Sequence, residues 1–89
     1  MSYFSDSKVI KAGTAGQAGR LYVWLRDSQG KHDAYFQLDS SQGKENQLLA
    51  TALTAISLDA PVDADVGGDG DPKDDWDCYY CYTLYVRRE

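Results

Sequence analysis

The stretch Arg20-Leu21-Tyr22-Val23-Trp24-Leu25-Arg26 decides how this chain is read. Leu21, Val23 and Leu25 alternate with Arg20, Tyr22, Trp24 and Arg26, and successive strand side chains point to opposite faces. With the aliphatic residues turned to a core, Tyr22 and Trp24 stand outside. The next run repeats the pattern: Ala34, Phe36 and Leu38 face one way, Tyr35 and Gln37 the other. Between them, Asp27-Ser28-Gln29-Gly30 reads as a hairpin turn, with Gly30 able to take the positive φ that closes it. Two neighbouring strands therefore share an aliphatic inner face and an aromatic outer one.

Toward the N-terminus, Lys8-Val9-Ile10-Lys11-Ala12 opens a weak first strand over residues 8–15. Gly13, Gly16 and Gly19 then punctuate a turn. Their Gly-x-x-Gly-x-x-Gly spacing is followed by a strand, so no helix N-terminus is presented to a phosphate. Toward the C-terminus, Asp39-Ser40-Ser41 supplies N-cap candidates. From Lys44 to Leu58, Leu48, Leu49, Ala52, Leu53 and Ile56, with Ala55 beside them, make one helical stripe. Asp59-Ala60-Pro61 ends that helix. Val62-Asp63-Ala64-Asp65-Val66 is a fourth strand, and 78–88 a fifth. In the fifth, Cys78, Tyr80, Tyr82, Leu84 and Val86 are assigned to the core; Tyr79, Cys81, Thr83, Tyr85 and Arg87 are assigned outside. The expected core packs Leu49, Leu53 and Ile56 against Val23, Leu25, Phe36, Leu38, Leu84 and Val86.

This order of elements gives a single α+β domain over residues 1–89. The expected architecture is a five-stranded OB-like antiparallel β-barrel or strongly curved sheet, with one helix between strands three and four. A hydrophobic content of 43% with 12% aromatic residues fits a globular chain. The net charge of −5 argues against general nucleic-acid binding, which needs clustered Lys and Arg. No run reaches the roughly 18 apolar residues of a membrane span. Met1-Ser2-Tyr3-Phe4-Ser5-Asp6-Ser7 has neither the basic start nor the apolar core of a signal peptide. The expected location is cytoplasmic if Met1 is native, and secreted if a leader has been removed.

Candidate chemistry is sparse. His32, the lone histidine, sits at a strand mouth and reads as a solvated surface residue. No G-x-S-x-G elbow or similar nucleophile motif accompanies it, so the chain is expected not to be an enzyme. Cys78 and Cys81 form a C-x-x-C inside a strand-forming aromatic run. Residues three apart on a strand lie about 10 Å apart, too far for a disulfide. Zinc would need further ligands, and two ordinary buried or half-buried thiols are expected.

Seven aspartates fall in the fifteen positions 63–77, around an acidic loop at about 67–77. Asp65, Asp69, Asp71 and Asp75 are the candidate ligands for Ca²⁺, which takes six to eight oxygens from flexible loops. Aligned on a helix-loop-helix calcium loop from Asp65, the pattern fails: Gly67 stands third and Trp76 where the bidentate Glu belongs. A solvated loop that shields strand edges is the competing reading, and no cofactor is expected.

The aromatic outer set provides the candidate contact residues: Tyr22, Trp24, Arg26, Tyr35, Tyr79 and Tyr85. Interfaces are enriched in Tyr, Trp and Arg. The competing reading is a second small core, in which a loop or the N-terminal segment covers these rings.

Tyr35-Phe36-Gln37-Leu38-Asp39, then Gly43-Lys44, the run Leu48–Ala55 and Val62 together resemble small OB-like barrels of bacterial origin. These include the B-subunits of AB-type toxins. The resemblance follows element order over about residues 8–87 and residue pattern over 35–62. It implies ring assembly and glycan binding, and carries no family binding residue onto this chain. The expected role is a binding or assembly module that contacts protein or self-associates as a homo-oligomer. Alternatives are an acidic nucleic-acid mimic that inhibits a nuclease or defence enzyme, and a glycan-binding module.

Overall fold

A computed structural model describes residues 2–30 and 33–88; His32 lies outside the described residues. Five strands and one helix follow in chain order: β1 (Ser2–Ala15), β2 (Arg20–Asp27), β3 (Asp33–Leu38), α1 (Glu45–Leu58), β4 (Val62–Val66) and β5 (Tyr80–Val86). They form a closed barrel of order β1-β2-β3-β5-β4. All strand pairs are antiparallel except the short β3–β5 pair, where Gln37 meets Tyr80 and Leu38 meets Cys81.

β1 is longer than its sequence pattern suggests, because it serves two neighbours. Its C-terminal half pairs with β2, and its N-terminal half with β4. Two irregularities bend it between them. Val9 pairs with Leu25 and Lys11 with Trp24, so Ile10 is an extra residue and turns partly outward. Between Phe4 and Ser7 the register shifts again, where Asp6 takes φ 53°. Bulges of this kind bend and twist a strand, here enough to close the barrel.

The interior holds Val9, Val23, Leu25, Phe36, Leu38, Val62, Ala64, Val66, Cys81 and Leu84. These are the inward positions of alternating strands, as expected for β2, β3 and β4. Two expectations about the core are corrected. The helix presents Leu48, Ala52 and Ala55 to the barrel, whereas Leu53 is 46% and Ile56 41% exposed; only Leu49 of the expected trio packs against the core, partly buried. Two alanines let the helix backbone lie close against the barrel mouth, which a leucine–isoleucine face would hold away.

β5 is the second correction. Asp65 pairs with Thr83 but Val66 with Cys81, so Tyr82 is an extra residue. The bulge inverts the faces upstream of it. Cys81 is fully buried, Tyr79 packs against the core, and Tyr80 and Tyr82 lie half-buried beside each other.

The helix also lacks the expected cap. Lys44 stands at its N-cap without a side-chain hydrogen bond. Asp39 instead accepts from the Ser41 amide and hydroxyl, forming a turn ahead of the helix. At the other end Asp59 adopts the left-handed conformation, and its N–H closes the last turn.

Candidate functional site

The outer face of β2 and β3 is built by their register. Tyr22 lies opposite Gln37, Trp24 opposite Tyr35, and Arg26 opposite Asp33. Residues directly across an antiparallel pair sit close enough for their side chains to touch. The Trp24 and Tyr35 rings are accordingly 5.1 Å apart at their centroids. On the other flank Lys11 of β1 pairs with Trp24 and places its ammonium 5.3 Å from the ring. The Arg26 guanidinium lies 5.4 Å from the same ring, while its Nε donates to Asp33 at 3.2 Å. Tyr22, Trp24, Arg26 and Tyr35 are thus brought together.

Tyr79 and Tyr85 are not part of this group. Tyr79 turns against the core beside Gly67, where a Cβ would meet its ring at 3.1 Å. Tyr85 pairs with Asp63 on the β4–β5 side of the barrel and is 57% exposed.

Half of the aromatic face carries a cover drawn from the acidic loop. Trp76 stacks on Tyr22, with centroids 5.4 Å apart and planes 14° from parallel. The Arg20 guanidinium lies 4.3 Å over the same indole and forms a two-point pair with Asp75, NH2 donating at 2.8 Å. Gly16 accommodates the indole edge: at φ +75° it favours glycine, and a Cβ there would come within 2.7 Å of Trp76. Tyr22 is left only 7% exposed. The cover is partial, because Trp76 keeps about half its own surface in solvent.

Asp74 holds this cover in place. Its Oδ1 accepts from the amides of Trp76 at 3.0 Å and Cys78 at 2.9 Å, and its Oδ2 accepts from the Tyr22 hydroxyl. Burial and the bond to Asp74 push the Tyr22 phenol up to about 12. The Arg20 guanidinium holds the Asp75 carboxyl below its usual range. Arg20 is legible in the sequence, alternating with Tyr22 on the outward row of β2; Trp76 is not, since loop residues have no period. The one signal for it in the sequence is a Trp set among aspartates.

Two shallow depressions open on this face, of about 200 and 210 Å³. They share Ala15, Tyr22 and Tyr35; one continues to Lys11 and Trp24, the other to Trp76 and Cys78. Cys78 is half-buried and Cys81 buried, both as free thiols. Burial raises Cys78 and pushes Cys81 up to about 12, the opposite of an activated thiolate.

The four carboxylates considered for Ca²⁺ are dispersed in use. Asp71 accepts from the Gly68 amide at 2.9 Å, Asp75 pairs with Arg20, Asp65 lies in β4 and Asp69 is exposed. Among the described residues no three or more His, Cys, Asp or Glu are gathered as a metal site. No helix among the described residues is long and apolar enough to cross a membrane. No family model, curated protein or solved structure matches this chain.

Proposed function

We propose that this protein is a non-catalytic binding module that contacts another protein through the outer face of β2 and β3, with a second copy of the chain as the first partner to test. The observation that carries the reading is the Trp24–Tyr35 ring pair, flanked by Lys11 and Arg26 and fixed on a closed barrel, with Tyr35 46% exposed. Rings held by strand register lose little freedom on binding and bury large area, which is how interface anchors work. The edge of β3 supports self-association. Among the described strands, Asp33–Phe36 has a neighbour on one side only, because the β3–β5 pairing is confined to Gln37 and Leu38. Such an edge accepts an added strand.

A nucleic-acid mimic has less support. Asp71, Asp74, Asp75 and Asp77 are engaged within the chain, with the Gly68 amide, Tyr22, Arg20 and Lys73 respectively. Sedimentation velocity across a concentration series tests the reading. Wild type is expected to associate with rising concentration, and Trp24→Ala and Tyr35→Ala to sediment as monomers with unchanged circular dichroism. A monomeric wild type removes self-association. Variants that keep every interaction of the wild type remove the face itself.

A further inference from the structure

The contact between the acidic loop and β2 displays, within one molecule, what this face holds. An indole lies flat on a tyrosine, and the neighbouring carboxylate pairs with a guanidinium that itself covers the indole. Two residues along β2 the same components recur. Trp24 and Tyr35 pack ring against ring, their planes tilted by 35°, and Lys11 and Arg26 lie against the indole. The depression there is open and continues into the one beside Trp76.

We propose that Lys11, Trp24, Arg26 and Tyr35 form a second subsite for an acidic protein segment that carries an aromatic side chain. The partner's ring packs on the exposed side of the Trp24–Tyr35 pair, where Tyr35 is 46% exposed, and its flanking carboxylates pair with Lys11 and Arg26. This rests on the binding-module reading above and gives the partner its chemistry. Local charge favours it. The chain carries −5 overall, yet among the described residues this patch sets two cations, Lys11 and Arg26, against the one carboxylate Asp33, which engages Arg26 through Nε. A nucleic-acid strand bears a phosphate at every nucleotide and would run on toward Asp74, Asp75 and Asp77. A short acidic peptide places its charge only where the cations are.

The probe is a capped peptide copying residues 73–77, Lys-Asp-Asp-Trp-Asp, titrated into the ¹⁵N-labelled full chain and followed by heteronuclear NMR. The expected result is saturable movement of the Trp24 indole N–H and of the Lys11 and Tyr35 amides, with a dissociation constant on the order of 0.1–1 mM. Replacing Trp by Ala, or the aspartates by Asn, in the peptide should weaken binding about three- to tenfold. Lys11→Ala, a surface change that spares the fold, should weaken it about threefold and flatten its salt dependence.

Three outcomes overturn the proposal. There is no saturable shift at several millimolar; or an oligosaccharide or oligothymidine binds the same residues more tightly; or Trp76 and Tyr22 move first, so that the peptide merely replaces the loop. If the peptide fails while Trp24→Ala still dissociates the assembly, the face is an interface for a partner of different chemistry, and only this inference falls.

Discussion

Asp74 shows how much one carboxylate in an acidic loop can do. It accepts three hydrogen bonds, two from its own turn and one from Tyr22. Removing it leaves a nearly buried phenol with only the long 3.5 Å contact to Gln37 Oε1, and a lost bond of that kind costs about 1–3 kcal/mol. Asp74→Ala is therefore expected to lower stability by about that much and to release Trp76 from Tyr22. Asp74→Asn should cost less, since an amide oxygen still accepts. Denaturant unfolding measures the cost, and a red shift of tryptophan emission in a Trp24→Phe background reports the release. Unchanged emission in that background would mean that Gly16 and Arg20 hold the indole without Asp74. The individual aromatic residues were legible in the sequence as strand alternation, and Trp24 and Tyr35 are where that alternation puts them. Tyr22 was legible as outward-facing but not as covered. Its cover comes from 54 positions along the chain, across a loop whose path no local pattern encodes.

At the scale of elements, the helix and β5 show where periodicity stops being decisive. The stripe from Leu48 to Ile56 is wide enough to be buried along either of two rows, and its larger residues suggest the wrong one. The barrel mouth accepts the row with the smaller residues, Ala52 and Ala55. Leu53→Ala is accordingly expected to cost under about 1 kcal/mol, because a half-exposed side chain leaves no closed cavity. Leu25→Ala, in the fully buried interior, should cost about 2–5 kcal/mol. Ala52→Leu should cost about 1–3 kcal/mol by overpacking. Urea midpoints for the three variants check the order; a Leu53→Ala loss equal to that of Leu25→Ala would return the helix to the rotation suggested by its sequence. In β5 a single extra residue, Tyr82, moves every upstream side chain to the other face. A period of two reads correctly only while the register is continuous, and the bulge is fixed by pairing with β4 rather than by β5's own residues.

For the whole molecule, burial of ionisable groups sets a predictable response to alkali. Cys81 and Tyr22 both have folded pKa values of about 12, above the roughly 8.5 and 10 of an unfolded chain. A group whose folded pKa is raised contributes stability that is complete below its unfolded pKa and lost as pH rises toward the folded one. The melting temperature should therefore fall from about pH 9 through 12. Cys81→Ala should make the early part of the fall shallower, leaving the share of Cys78, whose thiol burial also raises, and Tyr22→Phe should reduce the later part of the fall. Melts across that range measure both slopes, and slopes equal to wild type would place those groups in water.

The sequence by itself determined the number and order of the elements, the inward rows of β2, β3 and β4, and an outer face of aromatic residues. Each of these follows from the local geometry of a strand or helix and a run of side chains that obeys it. Tertiary structure alone decided which helix row meets the barrel, where β1 and β5 bulge, and that the acidic loop folds back onto Arg20 and Tyr22. Those outcomes depend on closing a barrel of fixed circumference and on pairing charges and rings far apart in the chain. No window of neighbouring residues contains either constraint.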